Sequence, residues 1–317
     1  MKKVSFLKLL FQLILGSTLG MNSIHSLPSP SKILFSYDLG LKILGDQACP
    51  SSYFAQGYVG QVAIGSFGLA PGPVMICCHG YGHNSSIVKT VQRYGVFSGM
   101  KVGFNFPDHD ITAGVDHRKA SFGTINELLP LLYLIKYYAC DCAVPSLSLY
   151  GFSAGGGAVV NAIAVLQQRL YSQQLQQIGI FEKDILVMLQ ALRAGAIILD
   201  CPLKSMEEII AYRGADAGLS ILAARYTTNN LNPIDTVSRL AGLNLTILLY
   251  FENLDEILSN RDDALFIDRL KKANGGNTFV AVGNSGGHNA WHKELWQMYR
   301  KVQPSGYPIS CISHDLI

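Results

Sequence analysis

The sequence predicts an α/β protein built on a doubly wound, mainly parallel sheet. Three observations carry this reading. Apolar, strand-like runs alternate along the chain with stretches of helical period. Some of those runs are apolar throughout, as in strands covered on both faces, and several run directly into glycine-rich turns. In such a sheet the reactive groups collect at the carboxyl ends of the strands, so those turns are where function is to be sought.

Taken in order, "GYVGQVAIGS" (57–66) and "GPVMICCHG" (72–80) read as strands, the second a continuous apolar run ending in glycine. "MKVGFNFPD" (100–108) is the next strand. Over 124–138, Leu128, Leu131, Leu132 and Ile135 recur at helical spacing. The strand "LSLYGF" (147–152) passes without a loop into a helix over about 154–171. The later strands are "AGAIILDCP" (194–202), "LTILLYFEN" (245–253) and "NTFVAVGNSGGH" (277–288), with helical segments around 206–212, 217–224 and 261–273. The stretch 201–244, between two strands, is long enough for a small helical cover. Its apolar residues either line an acyl pocket or form helix faces packed on the sheet.

The chain has 317 residues, 49% hydrophobic and 15% charged, which suits one large domain over 27–317. With 25 Lys+Arg against 22 Asp+Glu there is no basic surplus to hold a phosphate backbone, so no nucleic-acid partner is expected. Residues 1–26 read as a signal peptide or N-terminal extension. Lys2 and Lys3 precede an apolar run over 6–16, and Ser17, Thr18 and Gly20 supply small residues after it. Export to the periplasm or medium is the expectation. The alternative is a chain kept in the cytoplasm or held at a membrane surface by an amphipathic N-terminal helix. The seven cysteines are odd in number and expected to be mostly free and buried; Cys140-x-Cys142 lacks the second ligand pair of a zinc site.

The most informative stretch is "LYGFSAGGGAVV" (149–160), where a strand ends on Gly151-x-Ser153-x-Gly155 and a helix begins. A phosphate-binding loop needs Lys then Ser or Thr after its glycines, and neither is present. A dinucleotide fingerprint needs a glycine where Ser153 stands, and usually lies near the first strand. A purely structural glycine turn remains as a bland reading. The reactive reading is a serine on a strained strand-to-helix turn. The positions two before and two after it approach other backbone too closely for side chains, and the helix behind it aims amide dipoles at developing negative charge.

Upstream, "CCHGYGHNSS" (77–86) follows an apolar strand, and with it the chain resembles the α/β-hydrolase superfamily. The resemblance spans about 57–302. It implies that Ser153 is a nucleophile and that the backbone N–H groups of Tyr81 and Ala154 form an oxyanion hole. It further implies an acid and then a histidine after the serine. His288, behind Gly286-Gly287 after the last strand, is the expected base. His292, four residues on, is placed in the following helix with a structural role. Asp255 is the expected acid, with Glu252 and Asp200 as the other candidates. The Asp–His clusters "PDHD" (107–110) and "VDHRK" (115–119) suggest a metal, but no third ligand set has matching spacing, so neither metal nor cofactor is expected.

These residues imply a serine hydrolase that cleaves a small-molecule carboxylic ester, with a lipid-like acyl group as first choice, through an acyl-enzyme. An acyltransferase, peptidase or thioesterase would use the same groups. A non-catalytic binding protein on this fold is the alternative of another class.

Overall fold

The structure is a computed structural model and describes residues 54–59, 62–67, 72–81, 83–94, 97–106, 123–205, 231–258, 260–284, 286–289 and 292–302. The N-terminal segment 1–26, the two Asp–His clusters within 107–119 and the helices expected at 206–212 and 217–224 lie outside the described residues.

The elements are strands β1 (Phe54–Val59), β2 (Val62–Phe67) and β3 (Val74–Cys78), helix α1 (Ile87–Arg93), β4 (Met100–Phe104), α2 (Ile125–Lys136), β5 (Leu147–Phe152), α3 (Ala154–Gln168), α4 (Ser172–Gln177), α5 (Glu182–Arg193), β6 (Ala196–Asp200), α6 (Pro233–Thr236), β7 (Thr246–Glu252), α7 (Asp263–Asn274), β8 (Thr278–Gly283) and α8 (Lys293–Val302). They form one eight-stranded sheet in the order β1-β2-β4-β3-β5-β6-β7-β8. The six strands from β4 to β8 are parallel, whereas β2 runs antiparallel to both β1 and β4. The run 57–66, expected as one strand, is instead a hairpin in which Val59 pairs with Val62.

The alternation of side chains along the central strands divides the core into two layers. Val74, Ile76, Leu147, Leu149, Ile197, Leu199, Ile247 and Leu249 face one way, against α2, α3, α5 and α7. Met75, Cys77, Tyr150, Ala196, Ile198, Leu248 and Tyr250 face the other way, against α1 and α8. Covered on both faces, β3, β5 and β6 are buried at every position, the reason they read as unbroken apolar runs. No described helix is long and apolar enough to cross a membrane.

Helix α2 is capped at its start: the Thr124 hydroxyl accepts the Glu127 N–H, and the Glu127 carboxylate accepts the Gly123 N–H at 2.7 Å. A π-helical turn, Tyr137–Asp141, closes it. At the end of the stretch 201–244, Leu231, Ile234, Val237 and Leu240 are buried in the main cluster, packed as core rather than lining a pocket. Asn161 on α3 ties this stretch down by donating to the Leu231 carbonyl at 2.7 Å and accepting from the Thr236 hydroxyl at 2.5 Å. Helix α8 starts at Lys293, so His292 stands just before the helix rather than one turn into it.

Candidate active site

At the end of β5 the chain turns into α3 through Ser153, whose φ of +53° and ψ of −121° lie where side-chain-bearing residues rarely go. Such a conformation costs about 1–3 kcal/mol and persists only when its surroundings dictate it. Here they do. The Ser153 N–H donates to the Asp200 carbonyl at 2.9 Å, and the Ser153 carbonyl accepts from Leu203 at 2.8 Å and Gly156 at 2.9 Å. A methyl group at Gly151 would stand 2.6 Å from the Gly156 Cα. One at Gly155 would stand 2.3 Å from the Cys78 carbonyl oxygen and 2.6 Å from that of His79. The glycines two before and two after the serine are therefore set by backbone contact.

After β3, His79 is fully buried and organises the next turn. Its Nε2 accepts the Phe106 N–H at 3.1 Å, which puts the ring proton on Nδ1, where it donates to the Gly80 carbonyl at 2.8 Å. Tyr81 follows, beside the serine turn. Ala154 is the first residue of α3, so its N–H has no carbonyl one turn back to bond.

After β8, His288 is buried, and its Nδ1 lies 2.7 Å from Asp255 Oδ2. The other carboxylate oxygen of Asp255 accepts the N–H groups of Ile257 and Leu258 at 2.8 and 2.7 Å. Burial alone would raise the Asp255 carboxyl, but the His288 hydrogen bond and those two N–H groups outweigh it and hold the carboxyl below its usual range. Ser153, Tyr81, Ala154 and His288 share a cavity of about 220 Å³, walled by Phe152, Leu203, Ile257 and Leu258 and edged by His83 and Asn289. The Phe152 ring packs against His288, with centroids 5.0 Å apart.

The other two candidate acids have different partners. Asp200 bonds His292 and accepts the Tyr150 hydroxyl at 2.8 Å. Glu252 accepts the Tyr250 hydroxyl at 2.9 Å and the Leu254 N–H at 3.2 Å.

Two residues at the site carried no signal in the sequence. Glu256 accepts the His288 N–H at 3.0 Å; as the neighbour of Asp255 it reads as an ordinary strand-end carboxylate. His83 is pushed down in pKa by burial first and by repulsion from His288 second, with a hydrogen bond to Asn289 opposing both.

Among the described residues, the cysteines Cys77, Cys78, Cys140, Cys142 and Cys201 are free, three of them buried. Cys201 lies near both Asp–His pairs, and the two groups Asp200/Cys201/His292 and Cys201/Asp255/His288 are compact enough to hold a cation. In the first group His292 Nδ1 is already bonded to Asp200, and the Cys201 thiol lies 4.0 Å from both ring nitrogens. In the second, a cation would have to displace the bond between Asp255 and His288.

No protein-family model matches the chain, and no curated protein matches it in sequence. Solved structures do resemble it. A lipase/esterase from Lactobacillus plantarum superposes with a TM-score of 0.52 at 14% identity, covering 78% of this chain and 98% of its own. A carboxylesterase from Lactobacillus plantarum WCFS1 gives 0.51 at 16% identity, covering 81% and 90%. An inhibited esterase B from Lactobacillus rhamnosis gives 0.51 at 15%, covering 86% and 94%. With the strand order, the single antiparallel junction to the parallel strands and the strained serine turn, these likenesses identify the architecture: the chain has the α/β-hydrolase fold.

Proposed function

We propose that the protein is a serine hydrolase that cleaves small carboxylic esters through an acyl-enzyme. The observation that carries the proposal is that Ser153, strained at the head of α3, faces the same cavity as His288, whose opposite nitrogen is held by Asp255. In this reading His288 Nε2 takes the serine proton as Oγ attacks the ester carbonyl. The negative charge that develops on the carbonyl oxygen is met by the N–H groups of Tyr81 and Ala154 and by the amino end of α3. His288 then returns the proton to the leaving alkoxide. A water molecule, deprotonated by the same ring, releases the acid. Asp255, ionised throughout, keeps the Nδ1 proton in place and stabilises the imidazolium. The named activities of the similar solved structures, lipase/esterase and carboxylesterase, agree with this chemistry.

The experiment is active-site labelling. A fluorophosphonate probe should modify the purified protein on Ser153 alone, and Ser153→Ala should lose both labelling and turnover of p-nitrophenyl acetate while melting near the parent. Turnover retained by Ser153→Ala would remove the nucleophile from the proposal.

A further inference from the structure

A second buried Asp–His pair, adjoining the backbone of Ser153 and Gly287, has no place in the reaction just described. Asp200 and His292 are 4% and 2% exposed, and Asp200 Oδ1 bonds His292 Nδ1. Each partner is fixed from behind. The Tyr150 hydroxyl donates to the other oxygen of Asp200 at 2.8 Å, and the His292 ring stacks on Tyr250 with centroids 4.4 Å apart. The pair also reaches both halves of the site. The Asp200 carbonyl accepts the N–H of Ser153 at 2.9 Å, and His292 Nε2 lies 3.4 Å from the carbonyl of Gly287, the residue before His288.

We infer that Asp200 and His292 are positioning residues: a carboxylate–imidazole tie between the strand end that carries Ser153 and the loop that carries His288, setting the separation across which the proton moves. This role rests on the serine-hydrolase reading. The need for such a tie is physical. The loop of His288 has Gly286 and Gly287 at φ of +128° and +97°, a backbone with wide freedom, and a displacement of about 1 Å in a catalytic group can cost about 10²-fold in rate. The Glu256 carboxylate holds the His288 N–H from one side; the Asp200–His292 pair holds the preceding carbonyl from the other.

The groups facing His292 are Asp200 and Cys201 at the end of β6 and Tyr250 and Glu252 on β7. Burial works against a charged ring, but the bond to Asp200 and the nearby carboxylates outweigh it and raise its pKa, which favours the ring with a proton on each nitrogen. That is the state a tie with an acceptor at each end requires.

The test compares His292→Phe, Asp200→Ala and Asp200→Asn with the parent, by steady-state turnover of p-nitrophenyl acetate and by the rate of fluorophosphonate labelling. Phenylalanine keeps the stack on Tyr250 but donates nothing, and alanine removes the anchor. Both should lower kcat and the labelling rate roughly 30- to 100-fold with KM within about twofold. Asparagine can still accept from Tyr150 and donate to His292 Nδ1, leaving the Nε2 proton for Gly287, so Asp200→Asn should stay within about fivefold of the parent. Because both residues are buried, the parent supplies a check that needs no variant: 15N-histidine NMR should show a slowly exchanging Nε2 proton on His292. Parental kcat in His292→Phe and Asp200→Ala, equal damage from Asp200→Asn and Asp200→Ala, or a His292 ring exchanging at the solvent rate would each overturn the positioning role alone. A folded parent that the probe does not label would overturn the serine reading, and this role with it.

Discussion

His288 Nδ1 and Asp255 Oδ2 lie 2.7 Å apart, although 33 residues and helix α7 separate them in sequence. The remaining oxygen of Asp255 is held by two backbone N–H groups, so the carboxylate presents one defined acceptor to the imidazole. That acceptor requires a proton on Nδ1 and leaves the lone pair of Nε2 for a hydroxyl.

Asp255→Asn should therefore remove activity without disturbing shape. Its oxygen can still accept from Ile257 and Leu258, but its amide would then donate to Nδ1 and move the ring proton to Nε2, the wrong tautomer for a base. We expect kcat on p-nitrophenyl acetate to fall about 10³- to 10⁴-fold. Glu252→Gln, whose side chain contacts Tyr250 and Leu254 instead, should remain within about fivefold of the parent. The reverse ranking would transfer the acid's role to Glu252.

The same carboxylate predicts the acid side of the stability curve. Its pKa is held below the ordinary 3.8, so its contribution is present above that value and is lost as pH falls through the lower, folded value. Urea midpoints taken from pH 5 down to pH 2 should fall less steeply for Asp255→Asn than for the parent. Parallel curves would mean that the pair with His288 contributes nothing to folding.

Much of this arrangement is visible in the sequence because it follows from local rules. The buried strands announce themselves as apolar runs, and Gly151-x-Ser153-x-Gly155 announces a turn whose flanking positions admit no side chain, as their backbone contacts show. The choice among Asp200, Glu252 and Asp255 is not local. All three follow or end strands, and what separates them is the path of the turn after β7, where the 252 side chain is drawn back to Tyr250 while Asp255 reaches across to His288. The tie from Asp200 to His292 spans 92 residues and is fixed by the packing of α8 on the sheet, through the stack of Trp296 on Tyr150. The hairpin of β1 and β2 escapes for a simpler reason: only residues 60 and 61 connect the strands, so the pattern reads as one continuous run.

The close fit around the serine turn gives a packing prediction. Alanine at Gly155 would press against two backbone carbonyls, those of Cys78 and His79, which cannot move aside as a flexible side chain would. Gly155→Ala should lose on the order of 1–3 kcal/mol in stability and shift the turn that carries Tyr81. Gly276→Ala is the control, since a methyl group there meets nothing within 4 Å; it should be neutral or stabilise by about 0.4–1 kcal/mol. Denaturant midpoints of the two variants decide the matter, and equal effects would mean that the turn is not tightly set.

A second carboxylate gives a pH dependence of opposite sign. Glu127, 4% exposed in the first turn of α2, is pushed up to about 8 by burial, against the pull of the Gly123 and Thr124 N–H groups. The folded protein therefore holds this proton up to about pH 8, whereas the unfolded chain releases it near 4.5. The contribution to stability is full below 4.5 and is lost as pH rises towards 8. Glu127→Gln keeps an oxygen for the Gly123 N–H and has nothing to titrate. The difference in unfolding free energy between pH 5 and pH 8.5 should be larger in the parent than in Glu127→Gln by more than about 1 kcal/mol. Because the Gly123 carbonyl accepts the Leu231 N–H at 2.7 Å, ionisation should also loosen the segment that enters at Leu231. Faster amide exchange at Leu231 at high pH in the parent, absent from Glu127→Gln, would show that link; equal exchange in both proteins would break it.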